Sequence, residues 1–68
     1  MRASRESVLA RYCVQFVDHG DRVFDAIEIV QDTDEIAIEE AHSRDVLSIG
    51  AGFDVLQNGR LVHKYRRH

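Results

Sequence analysis

Apolar residues alternate with others from Tyr12 to Val17, the period expected of a β-strand, whose successive side chains point to opposite faces. The strand is predicted to begin near Arg11. Tyr12, Val14 and Phe16 fall on one face and Cys13, Gln15 and Val17 on the other. The first set, which holds both aromatics, is the better candidate for the core. Asp18-His19-Gly20-Asp21 supplies a turn, with Asp18 able to bond nearby backbone and Gly20 able to take positive φ. A second strand follows over about Arg22–Gln31. Here Phe24, Ala26 and Val30 share a face with Glu28, while Val23, Ile27 and Ile29 share the other with Asp25. Both faces are partly apolar, which a sheet with one wet side does not require. Either a partner covers the second face, or a bulge switches the alternation near Ile29-Val30.

The period then changes. Asp32-Thr33-Asp34-Glu35 reads as a helix start: Asp32 or Thr33 accepts from a free amide, and the acids suit the positive end of the helix dipole. With Asp32 as the cap, Glu35 takes the capping-box position. The helix is predicted to reach Val46–Ile49 and to be ended by Gly50-Ala51-Gly52. Ala37, Ile38 and Ala41 form an apolar stripe, small enough for close packing on a sheet. Ile36 and Leu47 lie on nearly the opposite side and are left for a neighbouring chain. The alternative is an earlier end to the helix, with Val46–Ile49 turning back into the core.

Gly52–Tyr65 closes the pattern. Phe53, Val55 and Gln57 are set against Leu61, His63 and Tyr65 across Asn58-Gly59, a dipeptide suited to the type I′ hairpin turn. The prediction is an α+β fold ordered β-β-α-β-β, with one helix packed on a face of a four-stranded, mainly antiparallel sheet. Residues 1–10 read as a flexible leader, 11–65 as the single domain, and 66–68 as a basic tail leaving the sheet after Tyr65.

Size sharpens this picture. A domain of 68 residues buries only about 60% of the surface its unfolded chain exposes, so it gains from a disulfide, a metal or a partner. Cys13 is the single cysteine, which excludes an intramolecular disulfide and fits a reducing compartment, with its thiol buried or half-buried. No apolar run approaches the roughly 20 residues that span a membrane. The cytoplasm is the expected location, and a homodimer the expected staple.

The net charge of −3 conceals a division. From Asp18 to Asp45 ten acids face only Arg22 and Arg44, whereas Arg60, Lys64, Arg66 and Arg67 crowd the C-terminal end. That end, with Tyr65 as an aromatic, suggests phosphate contacts and base stacking at Arg60, Lys64, Tyr65, Arg66 and Arg67. The acidic body argues against a broad nucleic-acid surface. It permits instead an acidic inhibitor or antitoxin-like partner of a basic bacterial protein.

Catalytic signals are weak. His19, His42, His63 and His68 lack the spacing of a zinc site, and Cys13 stands alone. His42, three residues from both Glu39 and Asp45, reads as a solvated surface histidine. The paired carboxylates sit in a turn and at a helix start, where structural roles account for them. No nucleophile–base signature and no phosphate-cradling glycine loop is present. No catalytic, cofactor-binding or metal residues are assigned, and no enzyme activity is expected.

Three stretches carry a resemblance: Arg11–Asp18, Ile36–Ala41 and Gly52–Val62. Their tyrosine-led strand, acidic approach to an alanine-rich helix, and closing hairpin of Phe53-Asp54-Val55 and Gly59-Arg60-Leu61 resemble short, single-domain alphaproteobacterial proteins of unknown function. The chain departs from that pattern at Leu56, where tryptophan is expected. The resemblance implies the β-β-α-β-β fold and brings no activity with it. The leading expectation is a non-enzymatic interaction module that self-associates through Ile27, Ile29, Ile36 and Leu47. Nucleic-acid binding by the basic end is the alternative.

Overall fold

The computed structural model describes residues 9–67. Strands β1 (Ala10–Val17) and β2 (Val23–Gln31) form a hairpin, helix α1 (Asp34–Asp45) follows, and β3 (Gly52–Gln57) with β4 (Arg60–Arg66) forms a second hairpin. The four strands make one antiparallel sheet in the order β2-β1-β3-β4. The α+β, β-β-α-β-β reading of the sequence is therefore correct. The N-terminal eight residues of the predicted leader, and His68, lie outside the described residues.

Register decides which residues meet. Tyr12 stands opposite Ile29 and Val14 opposite Ile27 on one side of β1; Val14 faces Val55 and Phe16 faces Phe53 on the other. Directly opposed residues share a face, so Tyr12, Val14, Phe16, Ile27, Ile29, Phe53 and Val55 all point toward α1. The helix adds Ala37 and Ala41, both fully buried, and their small side chains bring its backbone close to the sheet. The core is thus built mainly by the sheet. Cys13, on the reverse face, is half-buried.

Ile29 is a correction to the sequence reading. It is 5% exposed and packs in the core, so it is not free for a partner. The bulge also lies elsewhere: β1 and β2 slip between Phe16 and Val17, leaving Phe24 as the extra residue at the far end of β2 from Ile29-Val30.

The turns follow the chemistry of their residues with one exchange. Asn58 and Gly59 both take positive φ, 53° and 77°, as the type I′ turn demands. In the first hairpin it is Asp21, not Gly20, that adopts positive φ, at 63°. Asp18 Oδ1 accepts from the Gly20 and Arg22 amides at 2.8 and 2.9 Å, which organises that turn.

Thr33 caps α1, its hydroxyl accepting from Ile36 N at 3.1 Å, so Glu35 does not occupy a capping-box position. Asp34 receives the Tyr12 hydroxyl at 2.6 Å and ties β1 to the helix start. This carboxylate raises the Tyr12 phenol above its ordinary pKa, with burial adding to the effect. The helix ends at Asp45, earlier than the glycines suggested, and tight turn bonds such as Ser48 N to Asp45 O at 2.9 Å follow. Gly50 and Gly52 serve close packing instead of capping. A Cβ on Gly50 would lie 2.5 Å from both the Phe24 ring and Val17 O, and one on Gly52 would lie 2.1 Å from Tyr65 O.

Candidate functional site

The early end of α1 releases Val46–Ile49 as a connector, and that connector does not return to the core. Val46, Leu47 and Ile49 are 80%, 87% and 93% exposed. Leu47 and Ile49 form a wall of an open cleft of about 350 Å³, with Phe16, Phe24 and Ile27 opposite and Asp25 and Arg44 as polar elements. The cleft lies where β2 and the C-terminal end of α1 diverge. The alanine stripe accompanies the opening: Ala37 and Ala41 lie against the sheet, and beyond them the helix offers Arg44 to the cleft and no large apolar side chain.

Of the four sequence-derived interface residues, the structure brings Ile27 and Leu47 together in this cleft. Ile36 is 42% exposed, one helix-length away. It lies on the same flank of α1 as Glu40, which accepts from the β2 residue Gln31. That flank faces the β2 side of the sheet. Ile29 belongs to the core. Phe16, Phe24 and Ile49 complete its apolar lining and were not singled out from sequence as interface residues. The sequence offered either an over-long helix or an early end with Val46–Ile49 turned into the core; the early end is correct and the return to the core is not, while Phe24 changes its surroundings through the bulge.

The opposite flank of α1 is closed. His42 sets its ring edge against Phe53 and Tyr65, with centroids 4.9 and 4.8 Å apart, and His63 lies 5.9 Å away. His42 is therefore a half-buried member of an aromatic cluster and not a solvated surface histidine. Among the described residues, no group of three or more His, Cys, Asp or Glu side chains is placed to hold a metal ion.

The basic end is divided in a way that charge counting could not anticipate. Arg66 is part of β4, not of a tail. Its guanidinium donates to Asp54 Oδ1 at 2.9 Å, Asp21 Oδ1 at 2.9 Å and Tyr65 O at 2.8 Å. Arg67 donates to Gly50 O at 2.8 Å and to the Asp45 carboxylate, while its amide donates to Ala51 O at 2.8 Å. Both arginine cations are held above their ordinary pKa by these carboxylate hydrogen bonds. Tyr65 is half-buried and packs against the core, its ring beside His42 and Phe53. Arg60 and Lys64 alone of the five remain exposed, with Arg60 reaching Gln57 Oε1 at 3.2 Å. The recess of about 210 Å³ beside Arg66 and Arg67 is also lined by Asp18 and Asp21, so its positive charge is already compensated.

No helix among the described residues is long and apolar enough to cross a membrane. No family model matches the chain, and neither a curated protein nor a solved structure matches it.

Proposed function

We propose that the protein is a small non-enzymatic interaction module that self-associates, covering the cleft between β2 and the end of α1 with a second copy. The observation that carries this proposal is the exposure of Leu47 and Ile49 beside Phe24 and Ile27. Contiguous apolar surface of this kind, edged here by Asp25 and Arg44, marks interaction sites in soluble proteins. A second copy is the favoured occupant because the domain is small and its helix contributes only alanines to the core. Association then supplies burial that 68 residues alone do not. No cofactor is needed for this role. The lone thiol of Cys13 fits the cytoplasm. The proposal also keeps the chain among the short single-domain proteins its strand and hairpin motifs resemble.

The test is Leu47→Asp, which places a charge on a side chain already in solvent. It is expected to keep the circular dichroism of the parent and lower the mass in solution to that of one chain. An unchanged mass would defeat the assignment of this surface.

A further inference from the structure

We infer that the second copy docks along the β2 edge, β2 pairing antiparallel with its own counterpart about a two-fold axis through Ile27. This deepens the self-association proposed above and rests on it. The result is one continuous eight-stranded sheet made from two copies of the four-stranded one, with both helices on the same face.

The hydrogen-bonding direction of each strand residue supports the edge. Val17 O accepts from Ala51 N, and Asp18 N donates to Arg22 O, so Val17 points toward β3 and Asp18 toward β2. Alternation then directs Tyr12, Val14 and Phe16 to β2, where they meet Ile29, Ile27 and Asp25. The backbone groups of Ala26, Glu28 and Val30 are left facing outward. Among the described residues, only Ala26 N has a substitute there, the carboxylate of Asp25 at 2.9 Å. Nine residues long and outermost in the sheet, β2 is an open template.

Charge narrows the register. Opposed residues in an antiparallel pair share a face, so the axis must pass through a residue position. An axis through Asp25 or Glu28 would set like charges directly opposite each other, which is destabilising. An axis through Ile27 centres the pairing on the regular stretch beyond the Phe24 bulge, sets Ala26 against Glu28 and Asp25 against Ile29, and sets no acid against an acid.

The other edge lacks these properties. β4 carries Arg60 and Lys64, charges of the kind that blunt an edge, and the layer above it is sealed by His42 on Tyr65. Above β2 the cleft is open, and Ile27 is both a wall of it and the midpoint of the strand. The same axis therefore brings the two clefts side by side.

Amide hydrogen exchange of the full chain, read by NMR at rising protein concentration with light scattering on the same samples, tests this. A doubled mass with slowed exchange at Glu28 and Val30 is expected. A doubled mass with those amides unprotected, or with new protection confined to Arg60–Arg66, overturns the β2 pairing and leaves self-association standing. A single-chain mass at every concentration overturns both. Ala26→Pro adds a second readout, since it removes an outward N–H that β1 does not use. It should yield a folded monomer; a folded dimer of unchanged affinity would contradict the pairing. Should the variant not fold, the exchange result on the unaltered chain still decides.

Discussion

Arg67 donates to the carboxylate of Asp45, a residue only 4% exposed at the last turn of α1, and so neutralises an acid at the unfavourable end of the helix dipole. Asp45 Oδ1 has no hydrogen-bond partner of its own, which makes the carboxylate depend on this one cation. Arg67→Ala should lower Tm by several degrees. Adding Asp45→Asn to that variant should recover part of the loss, because a buried unpaired charge costs more than a buried amide. Thermal unfolding of the single and double variants checks the sign of this coupling.

Three glycines should respond to alanine in three ways. Gly52→Ala drives a Cβ against the Tyr65 carbonyl and should prevent the native β3–β4 pairing. Gly59→Ala meets no neighbour but keeps a positive φ, so it should cost about 1–2 kcal/mol. Gly20→Ala has neither problem and should change stability little. Urea unfolding of the three variants ranks them.

The Asp18 carboxyl is held below the usual carboxylate range, first by its hydrogen bond from the Arg22 amide and then by that from Gly20. A lowered folded-state pKa means the ionised form stabilises the fold above the unfolded value of about 4, and that this stabilisation disappears as pH falls through the folded value. Asp18→Asn should therefore be less stable than the parent at neutral pH. The gap should narrow as pH drops below about 4. A gap independent of pH would assign the loss to geometry instead of charge.

Ile29 and Leu47 separate packing from association. Ile29→Ala should cost about 2–4 kcal/mol and weaken folding itself, since its side chain fills the core between Tyr12 and the helix. Leu47→Ala should leave the unfolding midpoint of a dilute sample unchanged within about 0.5 kcal/mol. Denaturant titration at low protein concentration distinguishes them.

Much of the architecture was legible because each element had its own local signal. Alternation at Tyr12–Val17, the acids around Thr33 and the Asn58-Gly59 turn each point to one structure. The errors arose where a residue's role depended on something distant in the chain. Gly50 and Gly52 look like a helix terminator, yet the backbone of β1 and β4 and the Phe24 ring require them. Ile29 looks like surplus apolar surface until register sets it opposite Tyr12. The C-terminal arginines look free because Asp21, Asp45 and Asp54 are far away in sequence. One hint was available: Asp45 continues the stripe of Ala37 and Ala41, and an acid at a core position calls for a base. The exposed Leu47 was also legible, from its place off that stripe.

The central claim is that the apolar cleft is an interface between copies, and the most direct test is the mass of the unaltered chain in solution. Light scattering coupled to size-exclusion chromatography across a range of concentrations should give twice the 7.8 kDa of one chain, falling toward a single chain on dilution. A constant single-chain mass up to millimolar concentration would contradict the account and leave Leu47 and Ile49 without a second copy to bury them.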